Sequence, residues 1–293
     1  MLSVLIPTYN YNALALVLAI HKQLMHAKID FEIICFDDGS KSEINIQNNK
    51  INNLQNSKFV ALDKNIGRSA IRNLLVKNAN FSWLLFLDAD VKPKNNYFIS
   101  NYMAFFTKKN AVVCGGLLYE NTKKNKSFLR YKYGKKKEEI TVDVRQKHPN
   151  KYFFTSNFLI RKSVFNEVVF EEALKSYGRE DSLFSIQLKQ KGYHIAHIEN
   201  EVYHLGIDEN KTFILKTKKA IKNLFILQKN NLITDNDTDL LKLTEVLYTF
   251  KLQKLVGLFY PFFEYLTFKF TSVFALNLLK VSYFCYLKSK DHK

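Results

Sequence analysis

The stretch Trp83-Leu84-Leu85-Phe86-Leu87-Asp88-Ala89-Asp90 is an apolar run that ends abruptly in two carboxylates separated by one small residue. A short, continuous apolar run suits a central strand of a parallel sheet covered on both faces, where alternation of polar and apolar residues is not required. In an extended chain positions i and i+2 point the same way, so Asp88 and Asp90 can converge just beyond the strand's carboxyl edge. Open α/β sheets bind their ligands at that edge. Hard oxygen donors of this kind suit Mg²⁺ or Mn²⁺, with substrate phosphate oxygens completing the shell. An isolated Asp-x-Asp also fits a turn or a helix cap, so the remainder of the chain decides between the two.

Working outward, the same pattern recurs. Ser3 to Ile6 is an apolar run stopped by Pro7-Thr8-Tyr9-Asn10 and followed by an apolar-periodic helix from Asn12 to about Ala27. Phe31 to Phe36 ends in Asp37-Asp38-Gly39-Ser40, where glycine permits a tight turn. After an Asn-rich segment, a strand at Lys58 to Leu62 leads into Asp63-Lys64-Asn65-Ile66-Gly67-Arg68-Ser69 and a helix from about Ser69 to Lys77. Repeated strand-loop-helix units with acidic strand ends predict a doubly wound, mostly parallel sheet whose polar ends share one edge.

Beyond the central run the pattern predicts a helix from Pro93 to Lys109 and a strand from Ala111 to Leu118, with Gly115-Gly116 marking a bulge or a close backbone approach. Glu120 to Lys151 reads as a basic, irregular excursion, either solvated or phosphate-binding. Phe153 to Ile160 resumes strand character and a short helix opens at Arg161-Lys162-Ser163. Gly178-Arg179-Glu180-Asp181 precedes a helix from Ser182 to Lys191, capped by Gly192. Late strands are expected at Tyr193 to Ile198 and Val202 to Leu205, the last carrying His204.

Of the 293 residues 47% are hydrophobic, enough for a full core, and length suggests one domain with an appendage. Cys35, Cys114 and Cys285 are far apart and set in apolar segments, which predicts buried thiols in a reducing compartment rather than disulfides or a zinc site. The chain begins a strand pattern at once, without a charged leader, so no secretory signal is expected. The formal charge of +17 points to an anionic surface or substrate, but Arg occupies only positions 68, 72, 130, 145, 161 and 179. A base-reading protein favours Arg, so no nucleic-acid partner is expected.

Five local signals stand in one order over residues 1 to 206, and together they resemble the family 2 glycosyltransferases of the GT-A fold. They are Ser3 to Asn10, Asp37-Asp38-Gly39-Ser40, Asn65 to Asn73, Asp88-Ala89-Asp90 and Gly178-Arg179-Glu180-Asp181. The resemblance implies a GT-A-type, Rossmann-like sheet over residues 1–209 and an inverting transfer from a nucleotide-diphosphate sugar, usually a UDP-sugar. It places Pro7, Thr8 and Tyr9 along the nucleoside and Asp38 on the nucleobase imide. Asn65, Gly67, Asp88 and Ala89 fall at donor-binding positions, with Arg68 and Arg72 on the phosphate side. Asp88 and Asp90 would hold Mn²⁺ or Mg²⁺, a Lewis acid that neutralises the leaving nucleoside diphosphate. His204 could complete the shell, with His194 and His197 as alternatives. Asp181 matches the family's general base, which takes the proton of the attacking acceptor hydroxyl. Glu180 would contact the acceptor or position its neighbour.

Residues 210–293 read as a helical extension rich in Lys, Leu and aromatics, with no charge-free window of about 20 residues. Lys269 and Lys280, three helical turns apart, suit a helix lying in a membrane interface, or one packed on the protein's own core or a second subunit. The expected setting is the cytoplasm, at the inner face of the cell membrane, with a glycan or lipid-linked acceptor. A homo-oligomer is left open. Two other classes compete: a non-catalytic basic membrane- or nucleic-acid-binding module, and a sugar nucleotidyltransferase. The second should carry a glycine-rich loop after its first strand, where Pro7-Thr8-Tyr9-Asn10 stands instead. A dinucleotide oxidoreductase lacks its Gly-x-Gly-x-x-Gly.

Overall fold

The computed structural model describes residues 1–107, 112–174 and 176–291. Among the described residues ten strands run in chain order: β1 Leu2–Thr8, β2 Phe31–Asp37, β3 Ser57–Ala61, β4 Trp83–Leu87, β5 Val91–Pro93, β6 Val112–Cys114, β7 Leu117–Leu118, β8 Asn157–Arg161, β9 Ile195–His197 and β10 Val202–His204. Seven form a sheet in the order β3-β2-β1-β4-β8-β6-β9, and β5, β10 and β7 form a small second sheet.

The expected parallel half is present, since β1 pairs in parallel with both β2 and β4, and β2 with β3. The other half is mixed. β8 enters antiparallel to β4 and to β6, while β6 and β9 are parallel. Register places Leu87 opposite Asn157, so the start of β8 lies at the same edge as the end of β4.

Every residue of β4 is buried, because its two faces feed two different cores. Trp83, Leu85 and Leu87 point to one, with Leu16, Val17, Ile20 and Leu24 of the helix Leu14–Ala27. Leu84 and Phe86 point to the other, with Ile71, Leu75 and Val76 of the helix Arg68–Asn78 and with Phe158, Phe165 and Phe184. Full burial of each Leu or Phe contributes roughly 1.5–3 kcal/mol, which explains an apolar run with no polar alternation.

Several boundaries differ from the sequence reading. Gly115-Gly116 divides the expected long strand into β6 and β7, which belong to different sheets. The helix after Pro93 is Phe98–Met103. Its expected end at Lys109, and the expected strand start at Ala111, lie outside the described residues. The basic excursion is not irregular: it contains helices at Lys123–Lys126, Leu129–Lys137 and Val142–Lys147. The three cysteines are free and buried.

The chain forms two compact units. One comprises Met1–Glu120, Glu138–Lys175 and Glu180–Gly206 and holds both sheets. The other, Asn121–Lys137, Ser176–Arg179 and Ile207–Lys293, is helical. Its helices include Asn210–Lys229, Asp239–Thr249, Gln253–Leu258, Tyr260–Phe270 and Val273–Asp291. Leu129, Phe213, Ile214, Leu276 and Leu279 form a core within it.

Candidate active site

The helix Arg68–Asn78 buries Ile71 and Leu75 against the sheet and carries Arg68 and Arg72 one turn apart. Arg72 is buried, and its Nη2 donates to Asp88 Oδ1 at 2.8 Å. Ser156 Oγ donates to the other oxygen, Oδ2, at 2.7 Å. Burial, the largest influence on Asp88, raises its pKa, but the charges of Arg72 and Arg68 and the Ser156 hydrogen bond outweigh it and hold the carboxyl below the usual range. The same two arginines face Glu180: Nη1 of Arg72 stands 3.7 Å and Nη1 of Arg68 3.6 Å from Oε1. Arg72 therefore lies between the carboxylate of the Asp-x-Asp motif and that of the Glu-Asp pair.

Asp90 faces a different set of groups. β10 pairs antiparallel with β5, which puts His204 opposite Val91. His204 Nε2 consequently lies 3.7 Å from Asp90 Oδ2, and Leu205 N donates to the Asp90 carbonyl at 2.8 Å. The imidazole stacks on Tyr119 with ring centroids 5.6 Å apart, and its buried Nδ1 has no hydrogen-bond partner. A Cβ on Gly206 would come within 2.0 Å of Asp90 Oδ2, so the carboxylate occupies space that only glycine leaves open. Tyr11 borders the same carboxylate: burial first, and the charge of Asp90 second, raise its hydroxyl pKa.

Of the three expected metal ligands, Asp90 and His204 are brought together and Asp88 is not, because both of its oxygens are engaged by Arg72 and Ser156. Among the described residues no group of three His, Cys, Asp or Glu is arranged around one point. One carboxylate with one imidazole still fits a borderline divalent cation that draws its remaining ligands from phosphate and water. The alternatives fare worse. His197 is buried, with Nδ1 3.2 Å from Arg145 Nη1 and Nε2 3.0 Å from the Pro149 carbonyl. Burial pushes its pKa down to about 4, with the Arg145 charge acting the same way against the Pro149 contact. His194 precedes β9, whose Ile195 aligns through Val112 and Ile160 with Leu84, away from the acidic edge.

Asp38, the residue expected to meet the nucleobase, accepts from Ile66 N at 2.7 Å and from Gly67 N at 3.1 Å, one on each oxygen. It ties the end of β2 to the loop containing Asn65 and Gly67, and a nucleobase imide would have to share one of those oxygens. Burial raises its pKa, against the two backbone donors. Gly39 holds φ at +69°, and a Cβ there would come within 2.5 Å of both Lys64 C and Asn65 N, so the two loops can meet only at glycine. Thr8 is buried, with Oγ1 donating to the Tyr11 carbonyl at 3.0 Å, whereas Tyr9 is exposed.

The helix expected from Ser182 begins earlier, at Glu180, so Glu180 and Asp181 occupy its first turn, where the helix dipole favours negative charge. Asp181 is half-buried, and its Oδ1 accepts from Ser182 N at 2.6 Å. The chain immediately before, Gly178 and Arg179, runs at positive φ of 93° and 79°. Buried Asn223 holds that turn, its Nδ2 donating to the carbonyls of Gly178 at 2.8 Å and Ser176 at 3.0 Å. Ser156, Tyr11, Tyr119 and Gly206 were absent from the sequence reading. Each sits outside any motif, and only the pairing of distant strands brings them to Asp88 or Asp90.

Chondroitin synthase of Escherichia coli is 29% identical over 240 residues, which cover 69% of this chain and 34% of that protein. The chain thus spans about a third of that relative's length. Among solved structures, the mannosyltransferase PcManGT from Pyrobaculum calidifontis, in complex with GDP-Man and Mn²⁺, aligns with a TM-score of 0.52 at 12% identity, covering 76% of this chain and 61% of its own. S. aureus TarS 1-349 in complex with UDP-GlcNAc aligns with a TM-score of 0.50 at 20% identity, covering 76% and 66%. At such identities these two establish a shared GT-A-like fold and nothing finer. The family model for glycosyl transferase family 2 matches residues 3–169, more than half of the chain and all of the edge that carries Asp38, Arg72, Asp88 and Asp90, and the chain belongs to that family.

Proposed function

We propose that the protein is an inverting glycosyltransferase that moves a sugar from a nucleotide-diphosphate sugar, a UDP-sugar first among them, to a hydroxyl of a glycan or lipid-linked acceptor in cell-envelope polysaccharide synthesis. The observation that carries this reading is the linked set of ion pairs Arg68–Glu180–Arg72–Asp88 just past the end of β4, with Asp90, two residues on, facing His204. The chondroitin synthase relative supports a polysaccharide product, and the UDP-GlcNAc and GDP-Man complexes of the structural neighbours support a nucleotide-sugar donor.

In this reading the acceptor oxygen attacks the anomeric carbon, the carbon–oxygen bond to the diphosphate breaks, and the nucleoside diphosphate leaves with the bonding electrons. Asp181 takes the acceptor proton. Arg68, half-exposed, meets the diphosphate, while Arg72 holds Asp88 and Glu180 in place. Asp90 and His204 would hold the divalent cation, which supplies Lewis-acid neutralisation of the leaving group. A lipid-linked acceptor places the enzyme at the inner face of the cell membrane.

The deciding experiment is thermal unfolding of the full chain against a panel of nucleotide-sugars, with and without Mn²⁺. A ligand bound to the native state at about 100 times its Kd adds about 2.7 kcal/mol. Metal-dependent protection by one nucleotide class, followed by release of that nucleoside diphosphate, is the expected result. Protection by no nucleotide-sugar, with no release, overturns the reading.

A further inference from the structure

The formal charge of +17 is divided very unequally between the two units. The unit with the sheets has 21 basic and 19 acidic residues, net +2, whereas the helical unit has 23 basic and 8 acidic, net +15. Half of those eight acids are neutralised internally, by the pairs Lys216–Asp208, Lys218–Glu264, Lys229–Asp291 and Lys288–Glu245. From residue 246 to 290 Glu264 is the one acidic position.

The same unit exposes large apolar side chains. Leu255 and Leu258 are exposed on the helix Gln253–Leu258, Leu258 at 74%, and Phe262 and Tyr265 are exposed three positions apart on the next helix, Tyr260–Phe270. Phe270 and Phe274, on either side of the turn at Thr271, are exposed at 61% and 71%. Lysines stand directly beside these rings. The Lys269 ammonium lies 5.4 Å from the Tyr265 ring centroid and 5.5 Å from that of Phe270. Lys132 Nζ donates to the Thr271 carbonyl at 3.3 Å, which brings the basic helix Leu129–Lys137, with exposed Lys136 and Lys137, next to Phe270 and Phe274.

A patch of this kind on a folded chain marks a docking surface. Its occupant must accept bulky aromatic and aliphatic groups while presenting negative charge. An anionic bilayer does both, through its acyl boundary and its headgroups. Nucleic acid fits less well, since only Arg130 and Arg179 of the unit's 23 basic residues are arginine, and Arg130 is buried with its guanidinium 5.5 Å from the Phe213 ring centroid. Among the described residues no helix is long and apolar enough to cross a membrane, so contact is at the surface.

We infer that the helical unit is an anionic-membrane docking module, in which the Leu258–Phe274 patch enters the interface and Lys132, Lys136 and Lys137 bind the headgroups. The inference rests on the membrane placement of the preceding section and names the surface responsible. It also gives a role to residues 123–137, a basic stretch that the transfer chemistry does not use.

The experiment is flotation of the full chain with phosphatidylcholine vesicles, with and without phosphatidylglycerol. Three proteins are compared: unaltered, Leu258→Ser with Phe262→Ser, and Lys132→Gln with Lys136→Gln and Lys137→Gln. The unaltered protein is expected to float with the anionic vesicles, and more weakly as salt rises. Each lysine near the surface contributes about fivefold, so the triple variant should bind on the order of a hundredfold more weakly. The apolar variant should lose flotation in both lipids, while circular dichroism and metal-dependent nucleotide-sugar protection stay unchanged in each. Loss of that protection in the unaltered protein alone would sink the transfer reading and leave the docking result standing. Equal flotation of all three proteins, indifference to phosphatidylglycerol, a dimer that the apolar variant dissolves, or capture by single-stranded RNA in place of vesicles overturns the docking inference.

Discussion

Arg72 Nη2 lies 2.8 Å from Asp88 Oδ1, so the first carboxylate of the Asp-x-Asp motif is already paired before any ligand arrives. The guanidinium is almost completely enclosed and also faces Glu180, so it is the shared counter-charge of two carboxylates with little access to water. Replacing Arg72 by Gln removes the direct partner of Asp88 and leaves Glu180 with the exposed Arg68 alone. Loss of one partner of a buried pair costs about 3–5 kcal/mol. Arg72→Gln should therefore lower stability to urea by at least about 3 kcal/mol, whereas Arg68→Gln, on an exposed position, should cost less than about 1 kcal/mol and weaken nucleotide-sugar binding instead. Equal stabilities of the two variants would contradict this division of roles.

Gly206→Ala should separate geometry from stability. The added Cβ meets the Asp90 carboxylate rather than backbone, so the side chain can turn aside at small cost to the fold. The expected outcome is an unfolding temperature close to that of the unaltered protein, with metal-dependent nucleotide-sugar protection reduced at least tenfold in Mn²⁺ affinity. Titration of Mn²⁺ against a fixed donor concentration checks it, and unaltered metal affinity would remove Asp90 from the metal site.

Asp181→Asn keeps the size and the hydrogen bond to Ser182 but cannot take a proton at neutral pH. Donor affinity should be retained and transfer should fall by about 10²- to 10⁴-fold. Calorimetry on the donor beside turnover distinguishes a base from a binding residue: parallel loss of both would mark Asp181 as the latter.

His197 gives the fold a dependence on pH. Its folded-state pKa, near 4, lies below the ordinary value of 6.5, so between those values the unfolded chain binds more protons than the native one. Stability from the neutral imidazole is present above pH 6.5 and is lost as pH falls toward 4, by on the order of 3 kcal/mol. Protonation would also set a second cation against Arg145. Urea unfolding from pH 4 to pH 8 should show this acid limb, and His197→Asn should flatten it while lowering stability overall.

What could be read from the sequence was local. The run from Trp83 to Leu87 identified a strand covered on both faces because its residues serve two cores, and no solvent-facing position interrupts it. Acidic strand ends located the edge at which Asp88 and Asp90 stand. Strand direction was not legible: β8 has the same apolar character as β4, and only the pairing of Leu87 with Asn157 reveals that it runs the other way. The helix Leu129–Lys137 was hidden for a different reason. It buries Leu129, Arg130, Tyr131 and Gly134 and is otherwise lysine-rich, so it presents no apolar periodicity to read.

The site was legible in its motifs and not in its pairings. Asp38 stood out by its place in Asp37-Asp38-Gly39-Ser40, but nothing local announced that its oxygens take the backbone of Ile66 and Gly67. Ser156 reaches Asp88 from 68 positions away, and Tyr119 reaches His204 through a second sheet that no single segment encodes.

The helical unit takes its chain from three separate stretches, and one of them, Ser176–Arg179, is the turn that Asn223 grips just before Glu180 and Asp181. Such interleaving has a consequence for how the gene can change. A tail can be gained, lost or exchanged by one recombination event, but a unit drawn from three separate stretches of chain cannot be removed without also taking the turn that leads into the helix beginning at Glu180. The three stretches are therefore passed on together with the segments of the other unit that separate them.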